Sequence, residues 1–115
     1  MKKEIILNYA MSGDFQSDWL EVNFESFKNA RYKLESVSIS YNDAGGSFPA
    51  TVSILLSNDM ECYTIAETFP IESASNASDA IIADINTSAE YMRIKYTQAG
   101  ITSGRIKIIL LYRKQ

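Results

Sequence analysis

Apolar residues recur along this chain at every second position, in short segments separated by polar stretches. In one segment Val37, Ile39 and Tyr41 alternate with serines, and in residues 91–97 apolar residues alternate with basic ones. Alternation with a period of two is typical of a β-strand with one buried face and one solvated face. Helical periodicity is almost absent, so the pattern predicts an all-β protein.

Eight segments rich in β-branched and aromatic residues are predicted to be strands. Turn-forming residues separate them, notably at 12–14, 42–46, 57–59 and in the long polar run 72–79. A chain of 115 residues fits one domain with one hydrophobic core. We therefore predict a single domain, residues 1–115, folded as a two-sheet antiparallel β-sandwich that is jelly-roll-like, with an immunoglobulin-like sandwich as the alternative. The predicted strands are residues 4–10, 18–24, 33–41, 51–57, 63–68, 80–85, 91–97 and 105–113.

The last predicted strand is apolar on both faces toward its end. Its even-numbered positions from 106 to 112 are all apolar, which is the pattern of a side that faces the core. Arg105 and Lys107 begin the other side, but Ile109 and Leu111 continue it. An apolar face of this kind needs a cover, either a folded-over loop or a neighbouring subunit. We expect a homo-oligomer, with Ile109 and Leu111 as candidate interface residues.

Charge is distributed unevenly along the chain. The net charge is −3, yet residues 91–115 contain basic residues and no acidic ones. If the last two strands pair, the basic residues on them share one face, which needs acidic neighbours or an acidic partner. Because these residues alternate with apolar ones and the whole chain is acidic, we expect no nucleic-acid partner. The candidate binding or interface residues of this set are Arg93, Lys95, Arg105 and Lys107.

Few residues in the sequence are suited to catalysis. There is no histidine, which removes the commonest general base and the commonest metal ligand. We interpret Cys62, the sole cysteine, as a small semi-buried residue beside a strand rather than a nucleophile. The aspartates at predicted turns and strand starts suit turn formation better than a hydrolase or calcium site. They are Asp14, Asp18, Asp43 and Asp59. We expect no enzymatic activity, no metal and no cofactor.

Trp19 is the only tryptophan and falls on the predicted strand 18–24, on the side opposite Leu20 and Val22. A half-exposed tryptophan can stack on a sugar ring, anchor an interface, or cover the edge of a sandwich. Tyr41 and Tyr63 are weaker candidates of the same kind.

The apolar run at residues 5–7 is too short for a signal peptide or a membrane span. We expect no signal peptide, no membrane partner and a cytoplasm-like setting.

Several short motifs together resemble small β-sandwich structural proteins of bacteriophage virions. They are residues 12–20 (SGDFQSDWL), the turn Ser57-Asn58-Asp59, and residues 91–96 (YMRIKY) ahead of a glycine-bearing turn. This resemblance implies a non-enzymatic virion component, such as a capsid decoration, a fibre or spike base, or a tail protein. It would be assembled in the host cytoplasm, and its partners would be further copies of itself and other virion proteins.

The Ser-Asn-Asp turn and the Tyr-x-Arg-Ile strand are also similar to galactose-binding-like (discoidin-type) domains. In those domains a glycine follows the turn, at the place where this chain has Met60, and an aromatic residue comes next, where it has Tyr63. The alternative function is therefore a carbohydrate-binding module. That resemblance implies a glycan partner and a role for Trp19, or for a loop aromatic, in stacking on sugar.

Overall fold

A computed structural model describes residues 2–25, 30–46, 50–71, 77–84 and 87–115, which form ten β-strands. All recorded strand pairs are antiparallel. Within these residues no helix is long and apolar enough to cross a membrane. The strands are β1 (Lys2–Ala10), β2 (Phe15–Gln16), β3 (Leu20–Glu21), β4 (Asn23–Glu25), β5 (Arg31–Gly46), β6 (Ala50–Ser57), β7 (Tyr63–Ile71), β8 (Ala77–Asp84), β9 (Tyr91–Gln98) and β10 (Ile101–Lys114).

The strands form two sheets. Sheet 1 has the order β1-β10-β5, and β4 and β8 lie one after the other along the remaining edge of β5. In sheet 2, β2 and β3 share one edge of β9, and β6 and β7 follow on the other side. When β2 and β3 are counted as one interrupted strand and the short β4 is set aside, eight principal strands remain in jelly-roll order. The predicted sandwich is confirmed, and its topology is that of a jelly roll rather than an immunoglobulin domain.

The core lies between the inner faces of the two sheets and consists of the alternating apolar residues. In sheet 1, Ile106, Ile108 and Leu110 of β10 are fully buried, and in sheet 2 so are Ile54 of β6 and Ile94 of β9. Each such side chain contributes about 1.5–3 kcal/mol through removal from water. The core-facing sides that the sequence predicts for β9 and β10 are therefore correct.

Residues 42–46 are the end of β5 and not the flexible loop that the sequence predicts. Gly45 and Gly46 pair there with the beginning of β10. Gly46 has a φ of 111°, and a Cβ at this position would overlap the backbone of Gly100. The two glycines thus allow two strands to approach closely, which is a different use of glycine from loop flexibility.

The predicted strand 18–24 is divided between the two sheets, with β3 in sheet 2 and β4 in sheet 1. Between them, the N–H of Val22 donates to the carbonyl of Glu90 (2.9 Å), next to β9 of sheet 2. The carbonyl of Val22 accepts from the N–H of Leu34 (2.7 Å), in β5 of sheet 1. The chain therefore crosses between the sheets at Val22, which is fully buried. Leu20 and Phe24 pack against the core as predicted.

The predicted polar loop 72–79 is described only in part. Residues 77–79 belong to β8, and residues 72–76 lie outside the described residues. Ile85, at the end of the predicted strand 80–85, also lies outside them.

Candidate functional site

The outward side chains of sheet 2 form a surface that combines aromatic, aliphatic, hydroxyl and basic groups. Strand register places them in rows that run across β9, β6 and β7. We call this surface the sheet-2 face. Its rows are Tyr91–Ser57–Tyr63, Arg93–Leu55–Ile65 and Lys95–Ser53–Thr68, and Trp19 and Gln16 join it from the β2–β3 edge.

The aromatic part of the sheet-2 face is open to solvent, although large apolar side chains form it. Tyr63 is 54% exposed and Ile65 is 60% exposed, both on the edge strand β7. Leu55 lies between Arg93 and Ile65 and is only 3% exposed, so its neighbours form a closed layer over it. Exposed apolar surface of this kind marks an interaction site more often than it serves stability.

Trp19 is half-buried and lies on this face, although it belongs to the connection between β2 and β3 and not to a strand. The guanidinium carbon of Arg93 lies 4.6 Å from the centroid of its ring, which is a cation–π contact. The ring of Tyr63 lies 6.4 Å away, centroid to centroid, at an interplanar angle of 49°. The structure therefore brings together Trp19, Arg93 and Tyr63, which are far apart in the sequence.

The connection that carries Trp19 is fastened to β9 by Ser17. The backbone N–H of Ser17 donates to the carbonyl of Ile94 (2.9 Å), and its hydroxyl oxygen accepts from the N–H of Ile94 (3.0 Å). The side chain thus replaces the backbone carbonyl that would normally complete this pairing. The Ser17 carbonyl accepts instead from Nε of Arg93 (2.8 Å), the residue that stacks on Trp19. Ser17 is 4% exposed, so this arrangement is shielded from water.

The turn between β6 and β7 holds the first residue of β7, Tyr63, in place. The Asp59 carboxylate accepts the backbone N–H groups of Glu61 (2.9 Å) and Cys62 (2.8 Å). These bonds hold the pKa of Asp59 below its ordinary value because they stabilise the charged carboxylate, and the bond from Glu61 has the largest effect. The Ser57 hydroxyl accepts the N–H of Asp59 (3.2 Å) and donates to the Cys62 carbonyl. The turn is therefore internally bonded and not loose.

Met60 occupies the left-handed backbone region of this turn, with a φ of 66°. The Ser57 hydroxyl accepts its N–H at 3.0 Å. Glycine adopts this conformation without strain, which is a physical reason for a glycine at this position in similar turns. Cys62 is exposed in the same turn, so the semi-buried position that the sequence predicts for it is wrong. The turn reverses the chain before Cys62 can enter a strand.

A groove of about 480 Å³ opens beside Tyr63, at the end of the sandwich. It continues from the sheet-2 face toward the turn, because Tyr63 lines both. Its other walls come from the end of β6, the turn after it, and the segment before β9, with Leu56, Ser57, Asn58, Asp59, Cys62, Thr64, Thr87, Ser88 and Ala89.

The prediction that four basic residues share one face is wrong. β9 and β10 follow each other in the chain but lie in different sheets. Arg93 and Lys95 are on the outer side of sheet 2, whereas Arg105 and Lys107 are on the outer side of sheet 1. The chain changes sheet at a turn where the Gln98 side-chain oxygen accepts the N–H groups of the residues at 100 and 101, both at 2.8 Å.

Ile109 and Leu111 lie on the outer side of sheet 1 and are partly buried. Ile109 is opposite Ile6 of β1, which is 50% exposed, and Leu111 is opposite Glu4. On the other side they face serines of β5. The neighbouring strands of the same sheet thus shield part of both side chains, and Ile6 is the most exposed apolar residue beside them.

Other sequence candidates have structural roles. Tyr41 is 6% exposed and belongs to the core. Asp14 accepts the backbone N–H of Gln98 (2.9 Å), a contact that joins distant parts of the chain and not a bond within its own turn. Among the described residues no three histidine, cysteine, aspartate or glutamate side chains come together as metal ligands do. Leu55 and Ile65 are the residues of the sheet-2 face that the sequence reasoning missed; the apolar surplus on the outer side of β6 and β7 was the available signal.

No family model matches this chain, and no curated protein matches it. Solved structures that are similar to it include the following three. A family 29 carbohydrate-binding module is 17% identical, over 99% of this chain and 89% of that one, with a TM-score of 0.45. A protein of the disulfide-linked pili of Bacillus endospore appendages is 14% identical, over 100% and 88%, with a TM-score of 0.45. A CBM4 protein is 14% identical, over 97% and 86%, with a TM-score of 0.41. Similarity at this level does not indicate what this chain binds.

Proposed function

We propose that this protein is a non-catalytic carbohydrate-binding domain and that the sheet-2 face is its binding surface. The observation that carries the proposal is the pair of aromatic rings, Trp19 and Tyr63, on an open face beside Ile65. Tyr63 and Ile65 keep more than half of their surface in water, and the partly exposed Trp19 lies beside them. A ligand that covers them recovers the free energy of burial.

The chemistry around the rings suits a sugar. A pyranose ring has apolar C–H faces, which pack on aromatic rings, and hydroxyl groups at its edge, which need hydrogen-bond partners. On the sheet-2 face such partners lie on the same outer side as the rings, two rows along the strands from the row of Tyr63. They are the hydroxyls of Ser53 and Thr68, which are 3.2 Å apart, and the ammonium group of Lys95.

The backbone segments that carry the rings are also fixed before a ligand arrives. Trp19 is held by the stacked Arg93 and by the pairing of Ser17 with β9. Tyr63 is held by the bonded turn before it. A preorganised surface loses less conformational entropy on binding, which favours affinity for a ligand that makes few contacts.

The test is a glycan array followed by titration calorimetry on the glycans that bind. We expect Tyr63→Ala to weaken binding about tenfold, since one stacked ring contributes roughly 1.5 kcal/mol. Ile65→Ala on the face and Ile6→Ala on the opposite side of the sandwich are matched variants with similar exposure. Ile65→Ala should weaken binding and Ile6→Ala should not. An array without hits, or binding that Trp19→Ala and Tyr63→Ala leave unchanged, would refute the proposal.

As a second candidate function we propose assembly into a bacteriophage particle through the outer side of sheet 1. The exposed Ile6 opposite Ile109 favours it, since an apolar patch on a sheet can pack on the same patch of a second copy. Light scattering over a range of concentrations tests it. Self-association that Ile6→Asp abolishes supports assembly, and a monomer at every concentration argues against it.

A further inference from the structure

The centre of the sheet-2 face carries positive charge on a chain that is acidic overall. The net charge of the chain is −3, with 14 acidic and 11 basic residues. Arg93 and Lys95 nevertheless project side by side from β9 onto this face. The residues across the sheet from them, on β6 and β7, are aliphatic or carry hydroxyl groups, and none is acidic. The charge of this pair is therefore opposite to that of the whole protein, and register places the Glu21 carboxylate at the end of the same face, opposite Tyr91.

Neither of these two basic groups is neutralised by a carboxylate in the described part of the chain. Arg93 donates from Nε to the Ser17 carbonyl (2.8 Å) and from Nη1 to the side-chain oxygen of Gln16 (3.5 Å), which are neutral acceptors. Lys95 is exposed, opposite Gln16 and Ser53, and makes no ion pair with a described residue. By contrast, Arg113 on sheet 1 pairs with Glu35 at 2.5 Å.

We propose that the ligand of the sheet-2 face is an anionic polysaccharide, with carboxylate or sulfate groups on its sugar rings. This inference rests on the proposed carbohydrate-binding function and adds the class of glycan. Arg93 and Lys95 are two residues apart on one strand, so their Cα atoms are separated by roughly 7 Å. A chain that lies along β9 presents anionic groups to both of them while one of its rings packs on Trp19, whose ring lies 6.4 Å from that of Tyr63.

The attraction is between solvent-exposed charges, which sets its size and its salt dependence. Exposed ion pairs contribute little individually, and salt screens them over about 8–10 Å at ordinary ionic strength. The anionic groups of the ligand therefore determine which glycans bind more than they determine how tightly those glycans bind. The aromatic rings supply the part of the affinity that does not depend on salt.

The experiment compares pairs of polymers that share a sugar backbone and differ in whether they carry anionic groups. Polygalacturonate is compared with its fully methyl-esterified form, and dextran sulfate with dextran, by calorimetry at about 0.02 M and about 0.15 M salt. Lys95→Gln is the test variant. Lys107→Gln is the matched control, because it makes the same change in net charge at an exposed lysine on sheet 1. The protein is the full chain, and thermal unfolding verifies that both variants are folded.

We expect at least one anionic polymer to bind more tightly than its neutral counterpart, with affinity that falls as salt rises. Lys95→Gln should weaken this binding about two- to fivefold and Lys107→Gln should leave it unchanged. A difference within the polygalacturonate pair shows that carboxylate is recognised, and a difference within the dextran pair shows that sulfate is recognised.

Other outcomes overturn the inference. Equal binding of charged and neutral polymers, or equal loss in the two lysine variants, refutes the anionic class and leaves carbohydrate binding standing. Binding of neutral array glycans alone also refutes the anionic class and leaves carbohydrate binding standing. An absence of binding to any glycan refutes both proposals. Binding of a single-stranded oligonucleotide without any glycan, weakened by Lys95→Gln, assigns the charge to a nucleic acid instead.

Discussion

Replacement of Ser17 by alanine tests how the sheet-2 face is held together. The Ser17 hydroxyl accepts the N–H of Ile94 at 3.0 Å and donates to the Asp18 carbonyl at 2.9 Å. Ser17 is 4% exposed and Ile94 is fully buried. The alanine variant therefore leaves a buried backbone N–H without its acceptor, at a position that water reaches poorly.

The expected cost follows from that unpaired donor. Loss of one partner of a buried hydrogen bond destabilises a protein by about 1–3 kcal/mol, because the remaining group is desolvated without compensation. For a domain of this size a loss of about 2 kcal/mol lowers the Tm by roughly 6–12 °C. Ser17 also precedes Trp19 by two residues, so the same change loosens the stacked ring and should weaken glycan binding.

Urea and thermal unfolding measure the stability, and calorimetry with an array-selected glycan measures the affinity. Ser53→Ala is the matched control, because its hydroxyl lies on the same face but bonds only to the exposed hydroxyl of Thr68. We expect it to change stability by less than about 0.5 kcal/mol. If Ser17→Ala is no less stable than Ser53→Ala, the reasoning that Ser17 fastens Trp19 to β9 is refuted.

Three further predictions concern backbone strain and burial. Met60→Gly should raise the free energy of unfolding by about 0.5–1 kcal/mol, because φ is 66° there, whereas Met60→Ala should give no such gain in urea unfolding. Burial raises the pKa of Tyr96 and of Tyr112 to about 12. The two buried, protonated phenols stabilise the fold fully below the tyrosine pKa of the unfolded chain, about 10, and this stabilisation is lost as the pH rises toward 12. Phenolate absorbance should therefore rise in two stages, with unfolding at the second stage. A single transition near pH 10 in a folded protein contradicts this prediction. Gly104→Ala should cost about 2–3 kcal/mol, since φ is 111° and its Cβ would lie 2.8 Å from a backbone carbon of β5. Gly13→Ala, which meets no atom within 4 Å, should be nearly neutral by comparison.

Much of the fold follows from local pattern. Alternation with period two places Val37, Ile39, Met92 and Ile94 on inner faces, and all four are fully buried. Every predicted strand corresponds to strand structure, because β-branched and aromatic residues on a half-buried face favour it wherever the strand lies in the sandwich. The ends of the strands were less predictable. The glycines at 45 and 46 look like a loop in sequence, and only the close approach of β10 shows why a strand needs them.

The candidate site was predictable as a set of residues but not as a site. Trp19 was a candidate as the only tryptophan, and Tyr63 was a weaker aromatic candidate of the same kind. Arg93 was a candidate as one of the basic residues on the last two predicted strands. Nothing in the sequence indicates that these three meet. If consecutive strands paired, Arg93 would share a face with Arg105 instead.

The sequence by itself determined where most of the strand residues lie and which sides of several strands are buried, because alternation is a property of neighbouring residues. Only the tertiary structure decided that β9 and β10 lie in opposite sheets. Pairing between strands depends on contacts between residues far apart in the chain, such as Ser17 with Ile94, and no local pattern encodes them. The placement of β9 and β10 in opposite sheets separates Arg93 and Lys95 from Arg105 and Lys107. It also gives Arg93 its place on Trp19, and it makes the outer side of sheet 2 a surface of aromatic rings and positive charge.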